Sequence, residues 1–197
     1  KTGTMEKWAG NMTLGEDGIT PVEIYPRSIL VKLLSGHILN AVKLSNPGYP
    51  ALLEKGIWQE LENPFFLSFA AVGKTRNERM EETREFVALL SCHLPFRAPV
   101  GLQLDFGCPN IDLDYDEIGE TLDITGELTD KHGVSVFVNF SVVADHKIMI
   151  ETAKHPYCAG LWIANTIPWG YPGIDWKALF GTEKSPMLNV TNDGAWH

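Results

Sequence analysis

The chain has 197 residues, 44% hydrophobic and 21% charged, proportions that exclude a disordered or collagen-like polymer and leave room for one hydrophobic core. Sixteen basic against 25 acidic residues give a formal charge of −9, and with no Lys/Arg cluster to meet a phosphate backbone, nucleic acid is not an expected partner. No apolar run approaches the roughly 20 residues that cross a bilayer, and the chain opens on Lys1 rather than on a charged, then apolar, leader; the expected location is the cytoplasm, without membrane contact.

The first sixty or so residues are rich in Gly and Pro, with short extended pieces at 22–25 and an apolar run at 37–44 set among turn residues. From residue 64 onward, short apolar runs alternate with stretches of helical period, the pattern of repeated βα units and a parallel sheet. Residues 64–72 (PFFLSFAAV) form the first such strand, and 77–91 the helix after it, with Met80, Phe86, Val87 and Leu90 near one face. Residues 98–106 (APVGLQLDF) form the next strand. Ile118, Leu122, Thr125 and Leu128 mark its helix, which ends near Gly133. A third strand runs over 134–142 with a helix over 145–154, and 160–165 (GLWIAN) opens a fourth unit. The tail from 169 to 197 carries Pro, Gly and Asn with little periodicity and reads as irregular.

Several features take the plainer reading. Cys92, Cys108 and Cys158 cannot all pair and lack metal-ligand spacing, so neither a disulfide scaffold nor a metal site is expected, and free cysteines are most often buried. The three sequons at Asn11, Asn139 and Asn189 are read as chance. The six histidines share no chelating spacing, and Trp162, Trp169 and Trp176 are read as packing residues. The acidic stretch 112–120 is read as a solvated loop entering a helix whose first turn welcomes carboxylates.

Chemistry concentrates at strand ends. Ser68 lies within the first strand, residues 105–110 follow the second, 139–141 the third, and Asn165 and Thr166 close the fourth. In residues 104–110 (LDFGCPN) a strand ends on a Pro-stiffened loop that carries a thiol, which at such a place acts as nucleophile or base, or is simply a packed Cys before an Asn-containing turn. In residues 39–48 (LNAVKLSNPG) two asparagines and a Pro-Gly turn orient a planar amide-bearing ligand, or form only a turn.

Taken in order along the chain, these stretches resemble the flavin-dependent dihydroorotate dehydrogenases, in particular the soluble class with a cysteine base. Residues 1–11 (KTGTMEKWAGN) are similar to that family's lysine-bearing segment, which ends in a Gly-Asn pair. Residues 39–48 resemble its Asn-x-x-Gly-Leu-x-Asn-x-Gly motif, 65–71 its third strand, 104–110 its Asn-x-Ser-Cys-Pro-Asn motif, and 163–167 its Asn-Thr or Asn-Ser strand end.

The resemblance implies a (β/α)₈ TIM barrel that binds FMN and oxidises dihydroorotate to orotate in pyrimidine biosynthesis. A complete barrel takes about 250 residues, and about five or six of eight strands can be placed here. Residues 1–197 are then one barrel domain, truncated at both ends. Cys108 matches the catalytic base. Lys1, Asn40, Asn110, Asn165 and Thr166 match substrate-binding positions, and Lys1, Thr2, Ser68, Asp105 and Asn165 match positions near the cofactor. The partner is a small-molecule substrate, with a homodimer as the expected assembly.

Departures from the family pattern are informative. Asp105 stands where the family has Asn, and Gly107 where it has Ser; an ionised Asp is acceptor-only and repels both a carboxylate substrate and a thiolate. Lys43 replaces a glycine, so its side chain either intrudes on the substrate carboxylate or binds it. The strand over 134–142 lacks the family's lysine, with Phe137 or Asn139 in its place, and 191–197 contains nothing like the glycine-rich loops that hold the FMN phosphate. These departures keep two alternatives open: a non-catalytic barrel remnant or binding module, and a related flavin-dependent pyrimidine reductase.

Overall fold

Segments rich in β-branched and aromatic residues favour extended backbone, and the helices that follow them return the chain to lay the next strand parallel. The computed structural model describes residues 3–8, 10–17, 20, 22–26, 28–107, 115–163 and 166–182. In chain order the elements are β1 (Ile29–Lys32), β2 (His37–Asn40), α1 (Tyr49–Glu54), β3 (Phe65–Phe69), α2 (Arg76–Ser91), β4 (Val100–Asp105), α3 (Ile118–His132), β5 (Ser135–Phe140), α4 (His146–Ala153), β6 (Cys158–Ile163) and α5 (Trp176–Phe180). A 3₁₀ turn over Tyr115–Glu117 leads into α3.

β3, β4, β5 and β6 form one parallel sheet in sequence order. Local signals fix the helix ends. Thr75 caps α2 in a reciprocal arrangement with Glu78, and the Asp145 side chain accepts from the Lys147 N–H at the start of α4. Gly133 ends α3 at φ 68°, the left-handed conformation that glycine adopts without a Cβ penalty.

One sheet face is the core. Leu67, Phe69, Leu102, Leu104, Val136, Val138 and Phe140 pack beneath Phe86, Val87 and Leu90 of α2 and Ile118, Leu122 and Leu128 of α3. Phe69 stacks on Phe86 at 4.0 Å, and Tyr49 meets Phe86 edge-on at 4.6 Å. The helix faces read from the 3.6-residue period, Met80 included, are all buried.

Five expectations are corrected. The run at 37–44 does not join the parallel sheet: its strand, β2, pairs antiparallel with β1, because a short hairpin brings the two together before either can reach β3. The count of parallel strands among the described residues is therefore four rather than five or six, in one open sheet. A single parallel bridge sets Gly3 beside Phe69, its N–H donating to the Ser68 carbonyl at 2.7 Å. The tail contains a helix, α5, capped by Asp175, and Trp169 and Phe180 pack against Leu39 and Ala41. The acidic stretch is not wholly solvated, since Glu117 is only 1% exposed. Cys92 is exposed rather than buried. The helix α1 went unforeseen, although Pro50 in its first turn is a local start signal.

Candidate functional site

In a parallel sheet, residues in register point to the same side, so pairing sorts the polar residues of β3 to β6. Ser68 pairs with Gln103 and Gln103 with Phe137. One level nearer the carboxyl ends, Asp105 pairs with Asn139 and Asn139 with Trp162. Phe66 lies on this same face over Gly101, where an added Cβ would come within 2.4 Å of the ring. The face opposite the core thus carries aromatic rings low down and hydroxyl, amide and carboxylate groups toward the carboxyl ends, where parallel sheets flanked by helices place their ligands.

Asp105 and Asn139 form the centre of this cluster. Asp105 is 5% exposed and Asn139 4%. The Asn139 amide Nδ2 donates to Asp105 Oδ1 at 2.9 Å, and the Gly107 N–H donates to the same oxygen at 3.2 Å. Gly107 stands where the resembled motif has Ser, and a Cβ there would lie 2.5 Å from the Phe140 carbonyl carbon and the Ser141 nitrogen. The tight turn after β4 therefore excludes the side chain that the family pattern supplies. Asn139 also removes one sequon from consideration, since its side chain is inside the protein.

Two further carboxylates secure the loops above the strand ends. Arg79 of α2 donates from Nε to Glu117 Oε2 at 2.8 Å and from Nη2 to Glu117 Oε1, while its Nη1 donates to the Gly73 carbonyl at 2.9 Å. One guanidinium thereby ties the loop after β3 to the turn that precedes α3. Glu82 Oε2 accepts from the N–H groups of Val72 and Gly73 at 2.5 and 3.1 Å. Burial pushes the Glu82 carboxyl above its ordinary range, outweighing the two backbone donors that pull it down. A water-sized cavity of about 20 Å³ remains between these groups, lined by Asp105, Arg79, Glu117 and Thr121 among others.

The two segments that carry the N-terminal part of the resemblance dock on each other. The Asn11 N–H donates to the Val42 carbonyl at 3.0 Å, and its amide donates to the Ala41 carbonyl at 2.6 Å. Gly10 sits at φ 58° with the Val42 and Leu44 carbonyls so close that a Cβ would lie 2.6 and 2.7 Å from them. Asn46 Oδ1 accepts from the Thr4 and Gly48 N–H groups at 3.3 and 3.0 Å. Lys43 occupies the left-handed region at φ 57°, so the backbone keeps a conformation suited to glycine although the residue is lysine.

Of the residues singled out from sequence, Ser68 and Asp105 share the sheet face. Asn40 ends β2 in the hairpin, where its Oδ1 meets the Val42 N–H at 3.5 Å. Thr166 follows β6 and is partly buried. Lys1, Thr2, Cys108, Asn110 and Asn165 lie outside the described residues. Sequence reasoning passed over Gln103, Arg79, Glu82 and Glu117. Gln103 was legible as a polar residue alternating between Gly101 and Asp105, whereas nothing local separates Glu117 from the acids around it. Among the described residues no cluster of three His, Cys, Asp or Glu side chains forms that would hold a metal.

The sequence resemblance implies a flavin. Its ring has N–H and carbonyl groups on one edge, and Ser68, Gln103 and Asn139 present groups able to meet them. The described face fits the uncharged ring. Among the described residues Phe66, Ser68, Gln103, Asp105, Phe137, Asn139 and Trp162 of this face, Asp105 is the ionisable one.

No protein-family model matches the chain. The sequence is 29% identical over 139 residues to the catalytic subunit of dihydroorotate dehydrogenase B (NAD⁺) of Bacillus caldolyticus. The match takes in 67% of this chain and 42% of that protein, so the chain spans less than half the length of its relative. No helix among the described residues is long and apolar enough to cross a membrane. The chain is thus distantly similar in sequence to part of a dihydroorotate dehydrogenase catalytic subunit.

Proposed function

We propose that the chain belongs to a flavin-dependent oxidoreductase of the dihydroorotate dehydrogenase type, converting dihydroorotate to orotate in pyrimidine biosynthesis. The observation that carries this reading is the gathering of Ser68, Gln103, Asp105 and Asn139 on one face at the carboxyl ends of a parallel sheet, in a chain similar to such an enzyme. In this reading Cys108, as thiolate, takes a proton from the substrate carbon. Bound FMN would supply the hydride acceptor for the neighbouring carbon. Asn40, Asn110, Asn165 and Thr166 orient the substrate ring and carboxylate, Lys1 lies near both ligands, and Thr2, Ser68 and Asp105 line the cofactor. A free thiol titrates near 8.5, so Cys108 needs surroundings that help it lose its proton. The residues form one incomplete barrel domain of a cytoplasmic homodimer.

The test uses purified protein mixed with FMN. Flavin absorbance should co-elute with the protein and bleach on addition of dihydroorotate, and Cys108→Ala should retain the flavin while abolishing the bleaching. Colourless protein, or bleaching that survives in the variant, overturns the reading. Substituting dihydrouracil for dihydroorotate separates a pyrimidine reductase. The carboxylate at position 105 and the amide at 139 favour a second reading, a non-catalytic relative that binds a small ligand at the same strand ends. Ligand binding without turnover distinguishes it.

A further inference from the structure

The amide of Asn139 has one end engaged and the other open. A carboxylate accepts, so the atom 2.9 Å from Asp105 Oδ1 is the amide nitrogen, and the Asn139 carbonyl oxygen is turned away from it. That oxygen is buried and has no hydrogen-bond partner. Buried acceptors are almost always satisfied, and one left open at a strand end calls for a donor. The direction of the call is set before any ligand arrives, because the Asn139 backbone lies between β4 and β6, paired with Asp105 on one side and Trp162 on the other. The sheet face decides which ligand brings the donor. Ser68 and Asp105, which share this face with Asn139, are the residues read as lining the cofactor, whereas Asn40, read as binding substrate, ends the hairpin. An oxidised flavin ring has a single ring N–H, at N3, set between two carbonyl groups. An open acceptor on the cofactor's side of the site matches that group.

We propose that Asn139 binds the flavin ring by accepting its N3–H at Oδ1, and that Asp105 is a positioning residue that holds the Asn139 amide for this contact. The inference rests on the flavin reading given above and adds a cofactor-binding residue to it. Asp105 acts here through the acceptor that it offers Asn139 Nδ2. Turned over by half a rotation, the amide would set its own N–H groups against N3–H, donor against donor. The Asp105 carboxylate disfavours that orientation, because it has no proton to give to a carbonyl oxygen brought against it. An amide at position 105 would accept both orientations, since it carries a donor as well as an acceptor.

FMN and 3-methyl-FMN differ by the replacement of the N3 hydrogen with a methyl group, and they carry the same phosphate, so its contribution cancels in their ratio. Dissociation constants for the two are read on the full chain from the change in flavin fluorescence, without substrate and without turnover. The unmodified chain should bind FMN about tenfold or more tightly than 3-methyl-FMN, because the methylated ring leaves the buried acceptor unsatisfied. Asn139→Ala removes the acceptor and makes room for the methyl group, and should cut the preference to about threefold or less. Asp105→Asn releases the orientation of the Asn139 amide and should cut the preference to a similar extent. A role confined to folding would move both dissociation constants together and leave their ratio alone, and circular dichroism identifies the variants that fold. Equal binding of the two flavins by the unmodified chain overturns the contact while the flavin reading stands, as does an undiminished ratio in either folded variant. Failure of the unmodified chain to bind either flavin overturns the flavin reading and the contact together.

Discussion

Lys43 holds a left-handed backbone at φ 57° in the segment between β2 and α1. An L-residue with a Cβ pays roughly 1–2 kcal/mol for that conformation, and glycine avoids it at some cost in unfolded-chain entropy. Lys43→Gly should therefore raise stability by roughly 0.5–1 kcal/mol, read as a higher urea midpoint with an unchanged slope. A lower midpoint would mean that the lysine side chain contributes more than its backbone costs. The sequence comparison identifies this position as a departure, but it offers intrusion on a ligand or binding of one as the consequence. The dihedral angle shows the backbone consequence, which no side-chain argument reaches. Gly107 carries the same lesson in reverse. Its missing side chain looks like a loss when the motif is read alone, yet the approach of Phe140 and Ser141 leaves no space for one.

At the scale of elements, a buried ion pair ties two of the strand-end loops together. Arg79 projects from α2 to reach both the Gly73 carbonyl and Glu117, and the Glu117 side chain is almost wholly enclosed. Removing one member leaves the other charged and unpaired in a dry place, which costs about 3–5 kcal/mol. Arg79→Met should lose that much in denaturant unfolding, while the double variant Arg79→Met, Glu117→Met should recover a large part of it. Additive losses in the double variant would show that the two side chains act independently. The order and type of the elements on either side of this pair are legible from period and spacing alone. Glu117 is not, because its neighbours in the chain are also acidic and only the approach of α2, 38 residues away in sequence, distinguishes it.

At the scale of the whole molecule, two surfaces are apolar without a covering layer among the described residues. One is the sheet face beneath the candidate site, where Phe66 is 47% exposed and meets Phe137 and Trp162 at 5.2 and 5.0 Å. The other is the outer face of the hairpin, where Ile29, Val31 and Ile38 stand exposed beside the fully exposed tip residues Leu33 and Leu34. Its inner face is anchored instead, with Lys32 donating to the Leu179 carbonyl at 3.0 Å and His37 against Phe180. Contiguous apolar surface of this kind binds hydrophobic dyes. Leu33→Ser with Leu34→Lys should lower the fluorescence of bound anilinonaphthalene sulfonate and leave the far-ultraviolet circular dichroism unchanged. Unaltered fluorescence would assign dye binding to the sheet face.

The alternation of strands and helices from β3 to β6, the apolar faces of α2 and α3, the end of α3 at Gly133 and the gathering of polar residues at strand ends follow from the sequence by itself, because side-chain period, turn residues and helix termination act within a few positions. The hairpin pairing of β1 with β2, the facing of Asp105 by Asn139 and the burial of Glu117 were decided only by tertiary structure. Each depends on which distant backbone lies alongside and in what register, and a side chain's partner, its burial and hence the charge a site presents are set by that neighbour rather than by the residue's own stretch of chain.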